Sequence, residues 1–412
     1  MNLPGDPAAW RHTYGHLVAS LVRRMGADHL ADIEDAVQSA LLVALERWRD
    51  APPDDPVAWL YRVAHRKVLE GLRTRARRGR ILERRPGPEP AAPENPPLAE
   101  ELGDDLLRML FVGCDPDLPP ATQVVLVCKT LCGFSTAEVA ARLHLSTANV
   151  HKRLQRARAR LREAPLHLDH VVGARDRLPA VQQVLYLLFT EGYLSLHASE
   201  AIRQELCDEA LRLTRLLGAH KVGRGPETEA LLALMCLHRA RLAGRTDGFG
   251  GLLLLEEQDR SRWDPALLGE GMVHLAASAS GERFGRYHAE ARIAAAHGLS
   301  PSFDATPWQD IADTYALLER LAPSPLHTLN RALAVAELNG AEAGLAVLEG
   351  LAPPSWLSGS YAWCAVRADL HRRAHHPEEA DRLRALALDL APTDAVRTLL
   401  ARRLSPVSAP LG

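Results

Sequence analysis

Two stretches of this 412-residue chain concentrate cations in a way that suits phosphate chemistry. Residues 62 to 85 hold ten Lys or Arg against two acids, Glu70 and Glu83, and residues 142 to 162 hold seven against none. Such groups neutralise a phosphate backbone and thereby supply much of a protein's affinity for nucleic acid. In the first stretch Arg62, Arg66, Lys67, Arg73 and Arg75 stand opposite an apolar face of Trp59, Leu60, Val63, Ala64, Val68 and Leu72. In the second, Thr147, Asn149, His151, Lys152, Arg153 and Arg156 face outward, a set able to hydrogen-bond base edges as well as phosphates in a major groove. A third constellation is acidic: Asp32, Glu34 and Asp35 sit where carboxylates suit the N-terminal end of a helix dipole.

Other reactive residue types lack companions. Cys128 and Cys132, like His12 and His16, are four apart on one helix face, but no third and fourth ligand stands nearby, so neither pair predicts a metal site. They read as buried thiols and surface imidazoles. Glu191-Gly192-Tyr193 and Gln258-Asp259-Arg260 have no nucleophile–base pair or phosphate loop around them and read as structural polar contacts. The sequence therefore predicts no catalytic residue, no cofactor and no enzyme.

Helices must position these side chains. Ile33, Val37, Ala40, Leu41, Ala44, Leu45 and Trp48 recur at helical spacing, and a second helix begins near Val57 after the loop at residues 50–56. The proline-dense residues 86–97 cannot continue it and read as an extended linker. Ser135-Thr136-Ala137-Glu138 has the form of a capping box. It opens a helix-turn-helix: Val139, Ala140 and Leu143 line the first helix, His144-Leu145-Ser146 makes the turn with His144 in a left-handed position, and Val150 and Leu154 line the second. The predicted fold is all-α, with domains at 1–85 and 103–165 joined by a linker at 86–102, then a helical extension at 166–412.

Whole-chain properties are consistent with that division. The formal charge of −2 is uneven, with residues 1–163 carrying an excess of three cations and the remainder an excess of five acids. The six cysteines are scattered with no Cys-x-x-Cys pair, so disulfides and structural zinc are not expected. Neither a signal peptide nor a run of roughly 20 apolar residues is visible, which predicts a cytoplasmic protein with no membrane association.

Asp32-Ile33-Glu34-Asp35-Ala36-Val37-Gln38, Pro56-Val57-Ala58-Trp59-Leu60-Tyr61-Arg62-Val63-Ala64 and Ser135 to Leu161, in that order, resemble regions two and four of extracytoplasmic-function sigma factors. Residues 181–193, 254–264 and 323–336 are similar to a subgroup of that family with a long tetratricopeptide-like extension. The resemblance implies a factor that binds core RNA polymerase and starts transcription at chosen promoters. By it, Asp32, Glu34 and Asp35 would hold the β′ coiled coil, with the β flap as a further polymerase contact. Trp59, Arg62, Arg66, Lys67 and Arg73 would melt and read the −10 element. Thr147, Asn149, His151, Lys152, Arg153 and Arg156 would read the −35 element as duplex. Two positions depart from the subgroup: Gly71 stands where a basic residue is common, and Gly113-Cys114-Asp115-Pro116 replaces a Cys-Cys-His-Pro motif, which argues against a metal or redox role there.

Within the extension, the turns Asn339-Gly340 and His375-His376-Pro377 lie about 37 residues apart, close to the roughly 34 of tetratricopeptide repeats. Stacked pairs of that kind suit a peptide, protein or small ligand. The alternative reading is a helix-turn-helix regulator with a sensor solenoid that acts without polymerase, for which the acidic helix and the separate basic helix near Trp59 would have no use.

Overall fold

In a computed structural model, residues 7–48, 53–82, 99–143, 145–163, 174–194, 202–247, 251–281 and 283–405 are described. Among them all regular elements are helical, and an isolated bridge joins Thr246 to Leu252. The fold is all-α. The chain forms two compact units, Met1–Leu187 and Leu188–Gly412.

The first unit contains α1 (Pro7–Met25), α2 (Leu30–Arg47), α3 (Pro56–Leu82), α4 (Ala99–Gly113), α5 (Pro120–Thr130), α6 (Thr136–Arg142) and α7 (Thr147–Glu163). Leu17, Val18, Leu21 and Val22 of α1 are fully buried with Ile33, Val37 and Ala40 of α2 and Leu60 and Ala64 of α3. Burying a Leu or Val side chain contributes roughly 1.5–3 kcal/mol, so this three-helix core contributes substantially to the stability of the N-terminal half. Helix α5 is buried from Thr122 to Thr130, and its polar members are satisfied internally: Gln123 Nε2 donates to the carbonyls of Asp115 and Leu118, both at 2.9 Å.

The two helical blocks that the proline-rich segment separates in sequence pack on each other within this unit. Gly15 is required there, because a Cβ at that position would lie 2.2 Å from the Leu131 carbonyl oxygen. Arg23 Nη1 of α1 donates to Asp105 of α4 at 3.0 Å, and Lys129 stands over the Tyr14 ring. Helix α4 starts at Ala99, inside the expected 86–102 linker, and the unit runs past the expected boundary at 165. The reason for the second difference is Arg177, which donates to the Phe111 carbonyl at 3.2 Å and stands 3.8 Å from the buried Asp115.

Helix α8 (Ala174–Tyr193) is followed by α9 (Gln204–Ala219), α10 (Pro226–Ala240), α11 (Pro265–Ser278), α12 (Arg286–Leu299), α13 (Trp308–Leu321), α14 (Pro325–Asn339), α15 (Ala341–Leu348), α16 (Ser355–Ser358), α17 (Tyr361–Arg373), α18 (Pro377–Asp389) and α19 (Asp394–Arg403). Both predicted turns are present. Gly340 (φ 89°) separates α14 from α15, and His375 (φ 58°) separates α17 from α18; these values need the left-handed region that glycine enters freely. Leu329, Ala332, Ala336, Leu348, Trp363, Leu370, Leu383 and Leu400 form one core across both pairs.

Candidate nucleic-acid interface

Helix α3 begins on a fixed signal: Asp55 Oδ1 accepts from the Ala58 amide at 2.9 Å, and Pro56 occupies the first helical position without leaving a donor unpaired. Ala58, Leu60, Tyr61, Ala64, His65, Val68 and Leu69 turn inward, which leaves Arg62, Arg66, Lys67 and Arg73 exposed along one face. Trp59 is half-buried, its ring 5.1 Å from that of Trp48 in an edge-on contact. The Arg75 side chain lies outside the described residues. The exposed row is a cationic ridge with an aromatic group near its start, chemistry suited to a single strand with unstacked bases.

The capping box opens α6 as the sequence predicts. Ser135 Oγ accepts from the Glu138 amide at 3.1 Å, and Glu138 accepts from the Ser135 amide at 2.7 Å. His144 lies outside the described residues. Ser146 Oγ accepts from the Asn149 amide at 3.2 Å and starts α7, which buries Val150, Leu154, Ala157 and Leu161. Thr147, Asn149, His151, Lys152 and Arg156 are thereby exposed. Arg153 is more constrained: Nε donates to Asn149 Oδ1 and Nη1 to the Ala121 carbonyl, both at 3.1 Å. It braces α7 against α5 and orients Asn149, leaving less of its fork for a base.

The acidic constellation divides. Asp35 is exposed, Asp32 is half-buried, and Glu34 is 1% exposed. Glu34 Oε2 accepts from Arg158 Nη2 of α7, while Oε1 has no hydrogen-bond partner. Burial pushes the Glu34 carboxyl above the usual carboxylate range, with the Arg158 guanidinium pulling it back. In this arrangement Glu34 is unavailable to a second protein, in contrast to the expectation for it. What α2 presents outward is Asp35, Gln38, Leu42 and Leu45, one stripe in which Leu42 is 61% and Leu45 54% exposed. Sequence reading missed Gln38 and Leu42 and placed Leu45 inside, because apolar residues surround much of this helix and periodicity alone does not choose the buried face. An acid-flanked apolar stripe on an exposed helix suits protein docking.

The remaining candidates are accounted for locally. Cys128 and Cys132 are buried, and His12 and His16 meet at 2.7 Å between their Nε2 atoms. Among the described residues no group of three or more His, Cys, Asp or Glu could hold a metal ion. Burial pushes the Cys114 thiol up to about 12, so it is protonated and unreactive at neutral pH. Among the described residues no helix is long and apolar enough to cross a membrane.

Comparison with known proteins places these elements in a family context. Residues 11–78 match sigma-70 region 2, residues 116–161 match sigma-70 region 4, and residues 177–279 match a family of unknown function, DUF6596. The chain is 35% identical over 405 residues to an uncharacterized protein of Rhizobium meliloti (strain 1021), covering 93% of this chain and 94% of that one. It is 30% identical over 227 residues to the ECF RNA polymerase sigma factor SigG of Mycobacterium tuberculosis, covering 48% of this chain and 60% of that relative. No solved structure matches the chain.

Proposed function

The chain belongs to the sigma-70 family, joining regions 2 and 4 to a helical DUF6596-bearing extension, and from that premise we propose that it binds core RNA polymerase and directs initiation at specific promoters. The observation that carries this reading is the pair of outward basic faces, on α3 and α7, held in one unit with an apolar, acid-flanked stripe on α2. Helix α2 docks on the polymerase β′ coiled coil through Asp35, Gln38, Leu42 and Leu45, with Asp32 adding charge at its start; the β flap is the further contact. Trp59, Arg62, Arg66, Lys67 and Arg73 engage the −10 strand. Thr147, Asn149, His151, Lys152 and Arg156 read the −35 duplex, with Arg153 setting the position of Asn149. The factor works in the cytoplasm and does no bond chemistry of its own.

Promoter binding in this reading requires a rearrangement. The −10 and −35 elements lie about two turns of duplex apart, roughly 70 Å. Helix α7 instead sits against α2 through Arg158 and Glu34. We propose that polymerase binding breaks this contact, frees Glu34 to join the acidic surface, and lets α7 reach its element, and that the extension controls how readily this happens. Run-off transcription with purified core enzyme, with and without the Arg158→Met substitution, tests the scheme. The substitution is expected to raise initiation at limiting core, whereas loss of initiation from a folded variant contradicts it.

A further inference from the structure

Two sequence motifs without a role in promoter reading, residues 191–193 and 254–264, meet in the second unit around one buried arginine. Arg241 follows α10, is 6% exposed, makes no ion pair among the described residues, and has no hydrogen-bond partner for its Nε. Its guanidinium carbon lies 5.2 Å from the centre of the Trp263 ring, and that of Arg260 lies 4.6 Å from the same ring. Arg260 is anchored by donating through Nη1 to the carbonyls of His297 (2.9 Å) and Ser300 (2.7 Å), yet its buried Nη2 has no acceptor. Trp263 Nε1 is a third buried donor without one. Arg245 stacks on Tyr193 at 3.8 Å, and the Tyr193 ring lies 4.7 Å from that of His238.

The charge balance here is one-sided. Three guanidinium groups gather, the charges acting on Arg241, Arg260, His238 and His297 include no carboxylate, and burial with these arginines pushes His238 down to about 3 and His297 to about 4. Both imidazoles are therefore neutral at physiological pH. A buried guanidinium is normally paired, because losing its hydration without a partner is costly, and the rings of Trp263 and Tyr193 supply attraction but no acceptor atoms. Unpaired donors converging beside a desolvated cation are the complement of an oxyanion. His297 of this cluster also lines a cavity of about 220 Å³, whose walls include Phe303, Trp308 and Tyr315 together with Glu256, Glu337 and Arg403.

We infer that the extension holds an oxyanion site centred on Arg241 and flanked by Arg260 and Arg245, which takes the carboxylate or phosphate of a small molecule. The depth of Arg241 restricts the ligand to a small group, since no macromolecular surface reaches a side chain this buried. This inference is independent of how α3 and α7 read a promoter. The test uses the full-length protein with orthophosphate and acetate as separate probes against chloride at matched ionic strength, followed by thermal unfolding and by equilibrium dialysis of the labelled anion. Saturable binding of at least one oxyanion is expected, with phosphate alone marking a phosphate ligand and acetate a carboxylate. Arg241→Met is expected to abolish binding and, without oxyanion, to unfold at the same or a higher temperature, because it removes an unpaired buried charge. Should that variant fail to fold, Arg245→Met, which leaves Arg241 in place, is expected to weaken binding roughly tenfold. Absence of a saturable effect of either anion beyond chloride, or undiminished binding by the folded variants, would overturn the site.

Discussion

At the scale of single residues, the Glu34–Arg158 pair shows how burial sets the value of an ion pair. Because desolvation outweighs attraction at the Glu34 carboxyl, the pair orients α7 more than it stabilises the unit. Glu34→Gln, which keeps an acceptor and leaves Arg158 partly solvated, should change unfolding free energy by less than about 1 kcal/mol, while Arg158→Met, which strands a buried carboxylate, should cost about 3 kcal/mol. Urea unfolding of the two variants checks the asymmetry, and equal losses would contradict it. His238 and His297 give a pH prediction of definite sign. Their folded pKa values, about 3 and about 4, lie below the ordinary 6.5, so protons bind the unfolded chain first and stability present above pH 6.5 is lost as pH falls toward 4. Each group contributes up to about 1.4 kcal/mol per pH unit in that window. Substituting His238 with Asn should flatten the pH dependence of the second unit's melting temperature, and an unchanged slope would count against a buried neutral imidazole.

At the scale of helices, Gly71 offers a direct check on α3. A Cβ there meets nothing within 4 Å, so Gly71→Ala should add about 1 kcal/mol of helix stability and lengthen hydrogen-exchange protection along α3. Added strain at this position would show instead that the glycine is needed for close approach. On α2, Leu42→Asp or Leu45→Asp should abolish co-purification with core polymerase without unfolding the protein, since both side chains already face water. The cap of α6 and the faces of α3 and α7 were legible in sequence because their signals are local: Ser135 with Glu138, Leu60 and Val68 opposite a basic row, and Val150 with Leu154 opposite a polar row. The orientation of α2 was not, because Glu34 turns inward only where α7 brings Arg158 to meet it, a contact 124 residues away. Arg241 was equally hidden, as an arginine at the end of a helix reads as solvated until the Trp263 ring is seen to lie against it.

At the scale of the whole molecule, a first unit bearing sigma-70 regions 2 and 4 is joined to an extension that spans more than half of the chain. Removing the extension after Leu187, which keeps Arg177 against Asp115, should change transcription: an increase shows that the extension masks the first unit, and a loss shows that it braces it. Identical activity at equal concentration would assign the extension a separate role. These outcomes all presuppose that the chain works with polymerase, as opposed to binding duplex by itself. The most direct test is run-off transcription from a promoter library with purified core RNA polymerase and the full-length protein. The account predicts discrete transcripts that require the protein, disappear with Leu42→Asp, and shift in promoter preference with Asn149→Ala by about 1–3 kcal/mol per lost base contact. Sequence-specific binding to duplex without any promoter-dependent transcript would contradict it and leave a regulator that acts without core enzyme.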